Sequence, residues 1–161
     1  MAGRAAVLVE RFEQAVAEFI GVVQGLTEEQ WRRRCPDEER SVDVVARHVA
    51  KGIPYEMDVF RAIAAGRQPV TTTRAALAEM NAEDAEEWAG CGRDETVALL
   101  RDYAAAAAAE VRGWDDAQLA RSGLYVEDLG EPWTVEQWIE RILIGHIQGH
   151  LRSIRAALAP A

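Results

Sequence analysis

The sequence predicts an all-α protein, a bundle of long amphipathic helices with extra short helices in the connections, and three observations carry that prediction. Apolar residues recur at three- and four-residue spacing in the long segments. Helix-start residues stand in front of most of them. No alternating stretch is long enough to read as a strand.

Taken in order, Leu8, Phe12, Ala15, Phe19 and Val23 mark one face of a first helix between Gly3 and Gly25. Thr27-Glu28-Glu29-Gln30 has the pattern of a capping box, so a short helix carries Trp31 inward before Cys35-Pro36 ends it. Ser41 is placed to cap a second long helix starting at Val42, with Asp43 in the first turn complementing the positive end of the dipole. At about 100° per residue, Val44, Val45, Gly52, Tyr55, Val59 and Ile63 fall within about 60° of His48, which puts that histidine on the buried stripe. Gly52 and Pro54 predict a kink or restart just after it.

Residues 66–72 read as a loop, with one of its threonines capping a third helix over Ala75 to Trp88, and Gly90-Cys91-Gly92 stops that helix. A fourth runs from about Asp94 to Arg112, its six consecutive alanines giving high propensity and a smooth packing surface. Residues 113–132 form an irregular connection with a short turn at Asp115 to Arg121. Thr134, with Glu136 and Gln137 behind it, starts a last helix reaching Leu158. Val135, Ile139, Ile142, His150, Ser153 and Ala157 lie within about 40° of His146, opposite Arg141, Gln148, Arg152 and Arg155.

The 161 residues suit one domain spanning 1–161, and a net charge of -9 argues against a nucleic-acid surface. No apolar run approaches the roughly 20 residues that cross a bilayer, and no secretory signal precedes the first amphipathic segment, so the cytoplasm is the expected location. Cys35 and Cys91 do not form a C-x-x-C pair and read as inert small hydrophobes. No phosphate loop, nucleophile elbow or carboxylate dyad stands out.

The chemical signal lies in the histidines, of which there are three. His146 and His150 are one helical turn apart on an apolar stripe, and each ring has two nitrogens to satisfy. A metal ion on one nitrogen of each ring, with the other bonded to backbone or carboxylate, meets that demand. A bundle that packs the second helix against the last adds His48 as a third ligand, leaving a coordination position open for water or substrate. Zinc, nickel and iron(II) all suit three imidazoles. A histidine trio that only packs helices fits the same spacing. Gly145 and Gly149 permit close approach of another helix on that edge. Tyr55 is a candidate catalytic residue, placed to hydrogen-bond a metal-bound water or substrate, or else an ordinary core tyrosine. Glu56 is a candidate base, or else a solvated glutamate.

Cys35-Pro36 followed by Ser41-Val42-Asp43-Val44-Val45-Ala46-Arg47-His48, together with Gly145-His146-Ile147-Gln148-Gly149-His150-Leu151-Arg152, resembles the DinB-like proteins. That family includes the N-terminal domains of mycothiol-dependent maleylpyruvate isomerases and the thiol-dependent S-transferases. The resemblance implies a four-helix bundle, often a homodimer, in which His48, His146 and His150 match a metal triad commonly binding zinc or nickel. It also implies a low-molecular-weight thiol such as mycothiol or bacillithiol as co-substrate. This chain carries Glu39-Arg40 where relatives commonly have Gly-Trp, and Ser153 where a Gln is frequent. The expected function is a divalent-metal-dependent S-transferase or isomerase acting on a small molecule. The alternatives are a non-catalytic metal-binding or stress-related bundle and a metal-free dimerisation module.

Overall fold

The computed structural model describes residues 3–160. Four long helical rods dominate: α1 (Arg4–Gln24), α3 (Val42–Ala64), α5 (Arg93–Arg112), and a rod in which α7 (Val135–Trp138) continues through a π-helical turn (Ile139–Ile144) into α8 (Gly145–Leu158). Short helices α2 (Glu28–Trp31) and α6 (Asp116–Ala120) sit in connections, and α4 (Arg74–Trp88) lies outside the bundle against α3. Around the bundle, α1 and α3 each pack on α5 and α8. The links from α1 to α3 and from α5 to α7 therefore cross the bundle diagonally.

The local signals act as read for α2 and α7. Thr27 and Gln30 close a capping box at 3.2 and 2.9 Å, and Thr134 and Gln137 another at 3.1 and 2.9 Å. Asp115 and Gln118 form a third, which starts α6. Thr73 caps α4 by accepting the Ala76 amide at 3.1 Å. Ser41 differs: it occupies the N-cap position of α3, but its hydroxyl donates to Asp43 instead of accepting a helix amide. Asp43 is 1% exposed and also accepts from Arg32 Nη1 at 2.6 Å and the Gly90 amide at 3.0 Å. One buried carboxylate thus ties α2, α3 and the end of the α4 segment together.

The core is one cluster, with Phe12, Phe19, Trp31, Phe60 and Trp138 all under 3% exposed. Ala104, Ala107 and Ala108 are buried where α5 meets its neighbours, the close packing their small side chains allow. Three features depart from the sequence reading. Helix α3 runs unbroken past Pro54. The last helix is not uniform, since the π turn inserts a wider loop of backbone before His146. And β1 (Ser122–Gly123) pairs antiparallel with β2 (Trp133–Thr134), a two-residue ladder too short to leave a periodic trace.

That ladder is wedged against α3. A Cβ on Gly123 would lie 2.7 Å from Ile63 Cγ1, and Ile63 is only 1% exposed, so neither side has room to yield. Gly123→Ala is expected to lower stability by about 1–3 kcal/mol through overpacking, read as a fall in the urea midpoint at unchanged slope.

Candidate metal centre

Helices α3 and α8 are neighbours, and their contact brings the three histidines together. The ring centroids of His48, His146 and His150 lie 4.8, 5.0 and 4.4 Å apart with nearly perpendicular planes. Each ring presents one nitrogen to a common point, all within 4.8 Å of one another. Gly52 lies beside His146, where an added Cβ would stand in van der Waals contact with His146 Cε1 at 3.4 Å.

The outward nitrogens are held by carboxylates. His150 Nδ1 lies 2.6 Å from Glu38 Oε1, and His146 Nδ1 lies 3.2 Å from Glu56 Oε1. A carboxylate can only accept, so His150 Nδ1 carries the proton and its Nε2 is left as a lone pair, while Glu56 lies against His146. Burial pushes the Glu38 carboxyl up, but the hydrogen bond from His150 and the nearby positive charge of Arg40 outweigh it and hold the group at about 2. Glu38 is therefore ionised. Arg40 closes on its other oxygen at 2.8 Å. His48 is pushed down to about 2 by burial and by its two histidine neighbours, and burial also lowers His150. Neutral imidazole is the coordinating form, so the pocket prepays the deprotonation that binding a cation requires.

His48 Nε2 stands 2.8 Å from His146 Nε2. A tetrahedral ion with nitrogen bonds near 2.05 Å needs its ligands about 3.3 Å apart, so the rings would part by about half an ångström to take one. Three inward imidazole nitrogens, two of them oriented by carboxylates, fit a divalent cation. A packing trio would instead join His48 and His146 by one hydrogen bond between their Nε2 atoms.

The centre has one open side. A cavity of about 410 Å³ lies between α3, α4 and the π turn, and His48, His146 and Glu56 form one end of it. Its other walls are mainly apolar, among them Phe60, Met80, Trp88 and Trp138. Tyr55 and Tyr125 join their hydroxyls beside it. Burial, together with the Tyr55 hydrogen bond, raises the Tyr125 phenol well above its usual range, so that phenol keeps its proton.

Several expectations are corrected here. Tyr55 is not a core residue: it is 43% exposed and lines the cavity. Glu56 is not solvated: its side chain is 12% exposed and engaged with His146. No helix approaches Gly145 or Gly149, where an added Cβ would meet only Glu140 O of the same chain turn and the Arg152 guanidinium. Ser153 bonds Asp37 at 3.0 Å and touches neither histidine on the stripe through that bond. Cys35 agrees with its reading, fully buried with its thiol pushed up to about 12 by burial.

The sequence reading missed Glu38, Tyr125 and the contribution of α4. Glu38 left a faint trace, as the middle of three consecutive acids after Pro36, but which acid meets a histidine depends on how the diagonal link crosses α8.

A family model described as the DinB superfamily matches residues 11–154. No curated protein matches the sequence. Among solved structures, one from Bacillus subtilis, YfiT, described as "a probable metal-dependent hydrolase with an unusual four-helix bundle topology", aligns with a TM-score of 0.78 and 20% identity over 95% of this chain and 85% of that one. At that identity the likeness carries the fold alone.

Glu38→Gln keeps the shape of the side chain but removes the charge that fixes the His150 tautomer, and is expected to weaken zinc affinity about 10–100-fold. Competition against a chromophoric chelator measures it; unchanged affinity would detach Glu38 from the centre.

Proposed function

The chain belongs to the DinB superfamily, and on that footing we propose that it is a divalent-metal-dependent enzyme of the thiol S-transferase or isomerase type. The observation that supports this reading is a preoriented three-histidine centre with one open side facing an apolar cavity. A bound zinc or nickel ion supplies electrostatic stabilisation of an anionic nucleophile, which makes a thiolate such as that of mycothiol or bacillithiol available near neutral pH.

The residues of the chain do the rest. His48, His146 and His150 would hold the cation, while Glu38 keeps the proton on the outer nitrogen of His150 and Glu56 sets a negative charge beside His146. The cavity excludes water and fixes a small-molecule substrate beside the open side, so that nucleophile and electrophile meet without a bimolecular entropy cost. Tyr55, its hydroxyl joined to that of Tyr125 beside the cavity, is placed to hydrogen-bond a substrate oxygen. The same reading carries a homodimer and a cytoplasmic setting. Water in place of the thiol, giving a hydrolase, is the second reading, favoured by what YfiT is described to be.

Untagged protein reloaded with zinc or nickel is expected to hold about one ion per chain by elemental analysis, and fewer than about 0.2 would sink the proposal. His48→Ala should lose metal and melting temperature together. A panel of small thiols with electrophilic acceptors, run beside ester and amide substrates without thiol, decides between the readings. Metal-dependent, thiol-dependent turnover supports the S-transferase; metal-dependent turnover without thiol supports the hydrolase.

A further inference from the structure

Lys51 is the only lysine in the chain. It stands one turn along α3 from His48, half-buried in the wall of the cavity. Among the described residues no carboxylate lies within ion-pair distance of its ammonium, whereas Arg40, Arg47 and Arg61 pair with Glu38, Glu95 and Glu110. Glu95, whose charge Lys51 feels, is already taken by Arg47 at 2.8 Å. A half-shielded cation beside apolar walls attracts an anion more strongly than the same cation in open water.

The rest of the cavity limits what that anion can be. Trp88, part-exposed, lines the cavity from α4, and the core rings of Phe60 and Trp138, each 1% exposed, back its wall. Aromatic faces of this kind favour a flat apolar body. Asp84 also lines the cavity, and Glu56 stands at its histidine end, so a second negative charge on the ligand would meet a carboxylate. The volume of about 410 Å³ is at the small end of ligand sites.

We propose that the cavity takes a small, flat, largely apolar monoanion whose acidic group pairs with Lys51 and whose body lies against Trp88, Phe60 and Trp138. This rests on reading the histidine centre as an active site, and assigns the substrate class of that same site. The pairing leaves the uncharged part of the molecule to extend towards His48 and His146.

The test uses 2-naphthoate and 2-naphthamide, which share a ring and differ in one charge, titrated into the full chain both zinc-loaded and chelated, by calorimetry and tryptophan fluorescence. Naphthoate is expected to bind one per chain and at least about tenfold tighter than the amide, the usual worth of a charge-assisted hydrogen bond. Lys51→Arg should keep that preference and Lys51→Met should abolish it while leaving amide affinity unchanged. Leu77→Trp, which fills the cavity from α4, should weaken both probes, with melting temperatures showing that each variant folds. Absence of saturable binding, equal affinities in wild type, or a preference that survives Lys51→Met would overturn the proposal. A preference present only with zinc would also overturn it, by giving the carboxylate to the metal. If the protein fails to take zinc yet shows the Lys51-dependent preference, the metal-enzyme reading fails and the anion site stands.

Discussion

Three part-buried imidazoles facing one point impose the demand around which this structure is arranged. Each ring has two nitrogens, and an unsatisfied one in a shielded site costs on the order of 1–3 kcal/mol. Glu38 settles the outer nitrogen of His150, and in doing so decides that its inner one is a lone pair, while Glu56 sets a negative charge beside His146. Between His48 and His146 the inner nitrogens meet in one hydrogen bond of 2.8 Å, the contact a cation would replace. The low proton affinity of His48 follows from the same crowding, because a charge there would meet two further rings and little water.

Meeting that demand depends on the diagonal topology. Helices α3 and α8 are side by side, which brings His48 to the pair on α8. The link from α1 to α3 then has to cross the end of the bundle, and its crossing lays Asp37 and Glu38 over Ser153 and His150. Glu39 adopts a left-handed conformation, φ 54°, in the middle of that crossing. A glycine, common there in relatives, would take it without strain. Arg40 next to it anchors Glu38, so this chain has put the Glu39-Arg40 pair to use in the support of its own site. Asp43 pins the far end of the link to α3 and to the segment that follows α4.

Helix α4 shows how a functional wall differs from a core wall. Leu77, Met80, Asn81, Asp84 and Trp88 share a stripe that faces α3, yet none is fully buried, because the stripe borders a cavity. The same residues packed against a neighbouring helix would have disappeared into the core. Tyr55 is half-exposed for the same reason: it borders space that a substrate would fill.

The helices, their caps at Thr27, Thr73 and Thr134, and the facing of His146 and His150 were determined by the sequence alone, since each depends on neighbours within about one turn. The meeting of His48 with that pair was inferable only because both lie on apolar stripes, and stripes must be covered. The tertiary structure alone decided that Glu38, not Asp37 or Glu39, reaches His150, that Glu56 turns inward, that a π turn precedes His146, and that Lys51 and Trp88 border the same cavity. Those facts depend on contacts between residues far apart in the chain, where a shift of one turn exchanges partners, and no local pattern encodes which turn meets which.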